Sequence, residues 1–290
     1  MLQLLKLNFI DWLSFKEVFP FGEGDLSLAE FAAQYADVQT NWAYTYAAII
    51  GIIILLVKKN KKWFWYLFLA LYAIMSVTSV GMHTANYGEF QPGVLTTKLL
   101  ASFVDMTFTE LVAWCGVCSF AMEFYNTPET RKKRNIFVIA VSIFAAIVIG
   151  ILAYEVFVIH NRPLYFFGGN GAPMDGKTKG MSIAELGCVI TVLPILYLLI
   201  DNFKKMLKNE RILLILAVGV MGIAAVITAM WGDNEIANFA LGNFQGHSTW
   251  HMLGALVELI VVFFVDQRSV NQDKAKLLKE KAEKETSKVA

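Results

Sequence analysis

Long apolar runs separated by short polar connections set the pattern of this chain. Seven of them, Asn41–Val57, Trp63–His83, Lys98–Met122, Asn135–Phe157, Met181–Ile200, Arg211–Trp231 and Gly246–Val265, are each long enough to cross a bilayer. Lipid offers the backbone no hydrogen-bond partners, so each run is predicted to be a helix. The connections alternate in charge. Lys58-Lys59-Asn60-Lys61-Lys62 follows the first run, Arg131-Lys132-Lys133-Arg134 the third, and Lys204, Lys205, Lys208 and Arg211 the fifth. The intervening connections, Thr84–Thr97, Val158–Gly180 and Gly232–Gln245, hold few basic residues and many Gly, Asn and acidic ones. Basic loops stay in the cytoplasm, so the N-terminus is predicted outside and the C-terminus inside.

The expected fold is therefore an all-α membrane protein, a seven-transmembrane helix bundle over residues 41–265. Residues 1–40 form an outer segment. Met1–Phe15 has an amphipathic look suited to the outer surface, and Ser27-Leu28-Ala29-Glu30 fits a capping box that starts the first helix near Leu28. Residues 266–290, with six lysines and Arg268, form a charged cytoplasmic tail that extends the last helix as a partly frayed, solvated piece. No small-residue cleavage site follows the apolar start, so it does not read as a signal peptide. Composition agrees with this organisation. At 57% hydrophobic and 17% charged, the chain is too apolar for an ordinary soluble domain. The net charge of +1 carries no argument for nucleic acid, because the lysines sit at helix ends and in the tail. Cys115, Cys118 and Cys188 all fall inside apolar runs, where thiols act as small packing groups, and no structural disulfide is expected.

Chemistry concentrates in the histidines. Of four, three fall at the same end of their helices: His83 closes the second run, and His247 and His251 open the seventh. The i, i+4 spacing of His247 and His251 puts both imidazoles on one face, about 6 Å apart along the axis, as two ligands of one ion require. Ser79 lies one turn from His83 on its face, and Asp105 lies at similar depth in the third run. One intramembrane histidine is an ordinary polar bridge between helices. Three at one depth beside an acid point instead to a metal, most simply zinc held by three imidazoles with a fourth position open. Glu185 and Glu258 are further buried acids that could line a cavity or bridge helices. His160 is expected to be exposed in a loop, and Gly168-Gly169-Asn170-Gly171 reads as loop without a phosphate motif.

Ser79-Val80-Gly81-Met82-His83, Asp105 and His247-x-x-x-His251 resemble the signature of the CREST superfamily of seven-helix membrane hydrolases and receptors. That group includes alkaline ceramidases, adiponectin and progestin receptors, and hemolysin III-like proteins. The predicted N-outside orientation, Asp11-Trp12, Ala29-Glu30-Phe31 and Trp250 look most like the ceramidase branch. The stretch from His83 to Asp105 is longer than in ceramidases, which leaves Glu110, deeper in the third helix, as a rival acid of the wrong residue type.

The resemblance implies a zinc-dependent amidohydrolase that cleaves ceramide into a sphingoid base and a fatty acid. Zinc would be held by His83, His247 and His251. Asp105 would act as general base and acid, and Ser79 as hydrogen-bond donor to the oxyanion. It also implies calcium at N-terminal acids, for which Asp11 and Glu30 are the candidates, Glu30 having a helix-capping role as its alternative. The competing reading is a lipid-sensing receptor or hemolysin III-like protein whose zinc is mainly structural. A transporter lacks the paired broken helices, and the seventh helix has no lysine for a retinal Schiff base.

Overall fold

The computed structural model describes residues 28–84, 95, 97–160, 183–231, 235–239 and 242–289. Seven helices are present among them: α1 Leu28–Val57, α2 Trp63–Thr84, α3 Thr97–Phe124, α4 Arg131–Tyr154, α5 Ile183–Phe203, α6 Lys208–Trp231 and α7 Gly246–Val289. Six of these, all but α5, are long and apolar enough to cross a membrane; α5 supplies a shorter apolar stretch, Ile190–Phe203. The chain is thus a helical, multi-pass membrane protein. Its lipid-facing character is plain on α4, where Ile136, Ile139, Ile143 and Ile147 are all more than half exposed. Such a ridge is tolerable only in an apolar solvent.

Helix α1 is helical from Leu28, the first described residue; the capping-box residue Ser27 lies outside the described residues. Two elements differ from expectation. The connection before α7 contains a short antiparallel hairpin, β1 Glu235–Phe239 and β2 Gly242–Gln245, and β2 packs on α1 and α7. And α7 does not fray after the membrane: it continues unbroken to Val289. α4 runs into a π-helical turn, Glu155–Ile159, which ends at His160 in a left-handed conformation (φ 52°). His160 is half-buried rather than exposed, because its backbone N–H closes the π turn on the Glu155 carbonyl.

α1 packs on α2 and α7, α2 on α3, α3 on α4 and α5, and α6 on α7. Two glycines let α7 approach α1 closely. A Cβ on Gly51 would lie 2.8 Å from Val262 Cγ2, and one on Gly254 would overlap the Tyr44 hydroxyl. Near the basic connections the interior is a plug of large apolar side chains, Leu55, Trp65, Leu69, Phe120, Phe124 and Phe264, with Trp65 and Phe120 edge to face at 5.2 Å.

Beyond this plug sits a buried charge cluster. Glu123 of α3 accepts from Lys62 Nζ at 2.7 Å, Arg268 Nε at 2.9 Å, Trp65 Nε1 and Gln272 Nε2. Arg268 also donates to Glu210 of α6 at 3.0 Å, and Asn271 Nδ2 to the other Glu210 oxygen at 2.8 Å. Two carboxylates and two cations thus satisfy one another, and the cluster fastens α2, α3, α6 and α7 at one end of the bundle. It also explains why α7 stays helical after its apolar stretch, since Arg268, Asn271 and Gln272 are fixed on its next turn.

Candidate functional site

The site lies at the end of the bundle away from the charge cluster. His247 and His251 occupy the first two turns of α7, with ring centroids 4.6 Å apart and planes at 63°. Ser79, near the end of α2, and Asp105, in the third turn of α3, are both buried. The Ser79 hydroxyl and the Asp105 carboxyl face one another, and His247 lies within electrostatic reach of the same carboxyl. Four sequence-predicted residues from three helices therefore stand together. They meet because α2 and α3 run antiparallel, which brings the last turns of one beside the early turns of the other.

His83 belongs to the last turn of α2, one turn beyond Ser79, and its side chain lies outside the described residues. Among the described residues, no three His, Cys, Asp or Glu side chains are close enough to hold a metal by themselves; the expected triad includes His83. Asp11 also lies outside the described residues. Glu30 is in the first turn of α1, with its side chain outside them, as is that of Glu185 in α5.

Helix α1 adds residues that sequence reasoning missed. Thr40 Oγ1 is 3.0 Å from His251 Nδ1. The Tyr44 hydroxyl donates to the Trp250 carbonyl at 3.2 Å, and its ring meets His251 edge-on at 5.7 Å. Thr40 and Tyr44 are one turn apart on α1, a spacing visible in the sequence; what was not visible is that α1 packs against α7. A hydrogen-bond partner at Nδ1 fixes the orientation of the imidazole and leaves Nε2 as the other ring nitrogen.

Glu110 is removed from this site by geometry. Five residues from Asp105, it points about 140° around α3, where it is fully buried and accepts a 2.6 Å hydrogen bond from Thr191 of α5. Glu258 lies on the His-bearing side of α7 and is 2% exposed, packed near Tyr44 and Tyr72. Cys115 and Cys118 are buried free thiols.

The donor set fits zinc chemistry: two imidazoles on one face, one of them with a hydroxyl at its Nδ1, and a carboxyl beside them whose Oδ1 is buried without a hydrogen-bond partner among the described residues. Such an oxygen suits a group that must accept a proton from something bound in front of it. No protein-family model matches the chain, and no curated protein matches its sequence.

Proposed function

We infer that this protein is a seven-helix, zinc-dependent intramembrane hydrolase of lipid amides, with ceramide as its substrate. The observation that carries the reading is the convergence of Ser79, Asp105, His247 and His251, from three helices, at one end of the bundle. Ionisable groups gathered inside spanning helices are costly and by default mark a working site. All seven helices cross the bilayer in this reading. The charge-cluster end, with its lysines and arginines, faces the cytoplasm, which puts the N-terminus and the site toward the opposite face.

His83, His247 and His251 would hold the metal. Zinc, when bound there, would polarise the substrate carbonyl and bring the pKa of a water down toward about 7. Asp105 Oδ1 would take the proton from that water, with the Ser79 hydroxyl beside the same carboxyl. The same carboxyl would then hand the proton to the leaving nitrogen. Once Asp105 is protonated, the Ser79 hydroxyl can turn from it and donate to the developing oxyanion. Thr40 would hold the His251 ring in the orientation that presents Nε2. The ceramide preference and a calcium site at Asp11 and Glu30 rest on the family resemblance alone.

The test is release of fatty acid from labelled ceramide by the purified protein, with and without a zinc chelator, beside Asp105→Asn and His251→Ala. Chelator-sensitive release is expected, abolished in Asp105→Asn with zinc still bound. His251→Ala should lose most of the metal. Retained turnover in Asp105→Asn would remove that residue from the mechanism. Bound zinc without release from any of several ceramides would favour the receptor reading.

A further inference from the structure

Polar residues continue below the histidines in a pattern that the hydrolytic chemistry leaves unused. On α2, Tyr72, Ser76, Ser79 and His83 follow one another at i, i+4, i+7 and i+11, a single helical face. The seam formed with α1 and α7 is threaded by hydrogen bonds: Thr45 donates to Ser76, Ser76 to the Asn41 carbonyl and Tyr44 to the Trp250 carbonyl, and the Tyr44 and Tyr72 rings lie 5.1 Å apart. The stripe ends at Leu69 and Trp65, where the apolar plug begins.

Three groups along this seam are not satisfied by protein. Asp105 Oδ1 at the top, Asn41 Nδ2 one level down, and both oxygens of Glu258 at the bottom are buried with no hydrogen-bond partner among the described residues. Glu258 is the costliest. It sits in the middle of the α7 span, and the cations Lys58, Lys62 and Arg268 lie beyond the plug, paired with Asp266 and Glu123. A charged carboxylate there would be strongly disfavoured, and even the neutral acid needs both a donor and an acceptor. A water molecule offers both, and is stable where two to four polar groups surround it.

We propose that the seam between α1, α2 and α7 binds a file of internal water molecules anchored on Glu258 and rising past Tyr72, Tyr44 and Asn41 toward Asp105. The file has a closed lower end, the Leu69–Trp65 plug, and an open upper end at the histidines. Its role as the hydrolytic site's own water store rests on the hydrolase reading; its existence does not.

X-ray radiolytic labelling of the full-length protein in lipid nanodiscs tests this, because hydroxyl radicals formed from bound water modify side chains that bulk solvent cannot reach. Tyr44, 3% exposed, should be labelled severalfold faster than Trp65, 2% exposed, although indole is the more reactive ring. Glu258→Leu should reduce Tyr44 labelling to the Trp65 level, and Glu258→Gln, which keeps a donor and an acceptor, should preserve it. Equal labelling of Tyr44 and Trp65 in the wild-type protein overturns the proposal, and that comparison decides even if the leucine variant does not fold. Labelling unchanged in a folded Glu258→Leu variant overturns it too. Ceramide hydrolysis measured on the same samples separates the two ideas: labelling without hydrolysis keeps the water file and removes the hydrolase reading, and hydrolysis without labelling does the reverse.

Discussion

Gly254→Ala gives a direct measure of how tightly α1 is held against the histidine-bearing helix. The added Cβ would overlap the Tyr44 hydroxyl oxygen and lie 2.7 Å from Cε1 and 2.8 Å from Cζ. Tyr44 is 3% exposed, and its hydroxyl is held by the Trp250 carbonyl. Overpacking of this kind costs about 1–3 kcal/mol. Displacing the ring also breaks the hydrogen bond to the Trp250 carbonyl, a further loss of about 0.5–1.5 kcal/mol. Against these stands the better helix propensity of alanine, about 1 kcal/mol. The net expectation is destabilisation of about 1–3 kcal/mol. Equilibrium unfolding in mixed micelles should show it, and the Tyr44→Ala background should abolish most of the penalty, since the three atoms nearest the added Cβ all belong to that side chain. If Gly254→Ala proves as stable as the wild-type protein, or equally costly with and without Tyr44, the close α1–α7 contact is wrong.

Other expectations concern the site and the charge cluster. Thr40→Val removes the hydroxyl at His251 Nδ1 and, if zinc binds as inferred, should weaken its affinity by about 10–100-fold in a competition titration with a chelating dye. Unchanged affinity would deny Thr40 that role. Glu123→Leu leaves Lys62 and Arg268, 21% and 14% exposed, without their shared carboxylate and should cost about 1.5–3 kcal/mol; a loss below about 1 kcal/mol would show that water reaches the cluster. The pair Lys133–Asp201, 45% and 31% exposed, is worth at most about 1 kcal/mol by double-mutant cycle. Ending the chain after Gln272 should leave the unfolding midpoint unchanged, whereas ending it after Asp266 removes Arg268 and should lower it as sharply as Glu123→Leu.

Several features of this protein are legible along the chain because local physics governs them. Apolar run length sets the helices, basic residues mark one set of their ends, and the i, i+4 spacing of His247 and His251 places two rings on one face, all before any contact is known. Ser79 and Asp105 were also legible, because depth along a helix can be counted from its end. Which faces turn toward one another cannot be counted that way. Asp105 and Glu110 are both acids of α3, and only packing directs one to Ser79 and the other to Thr191. The same is true of Thr40 on His251 and of Tyr44 against Gly254, which depend on α1 closing against α7, elements more than 200 residues apart in the chain. The clamp of Lys62, Glu123, Glu210 and Arg268 reads in sequence as ordinary charges at helix ends. Tertiary structure alone turns them inward, because the buried carboxylates of Glu123 and Glu210 are tolerable only when each finds a cation.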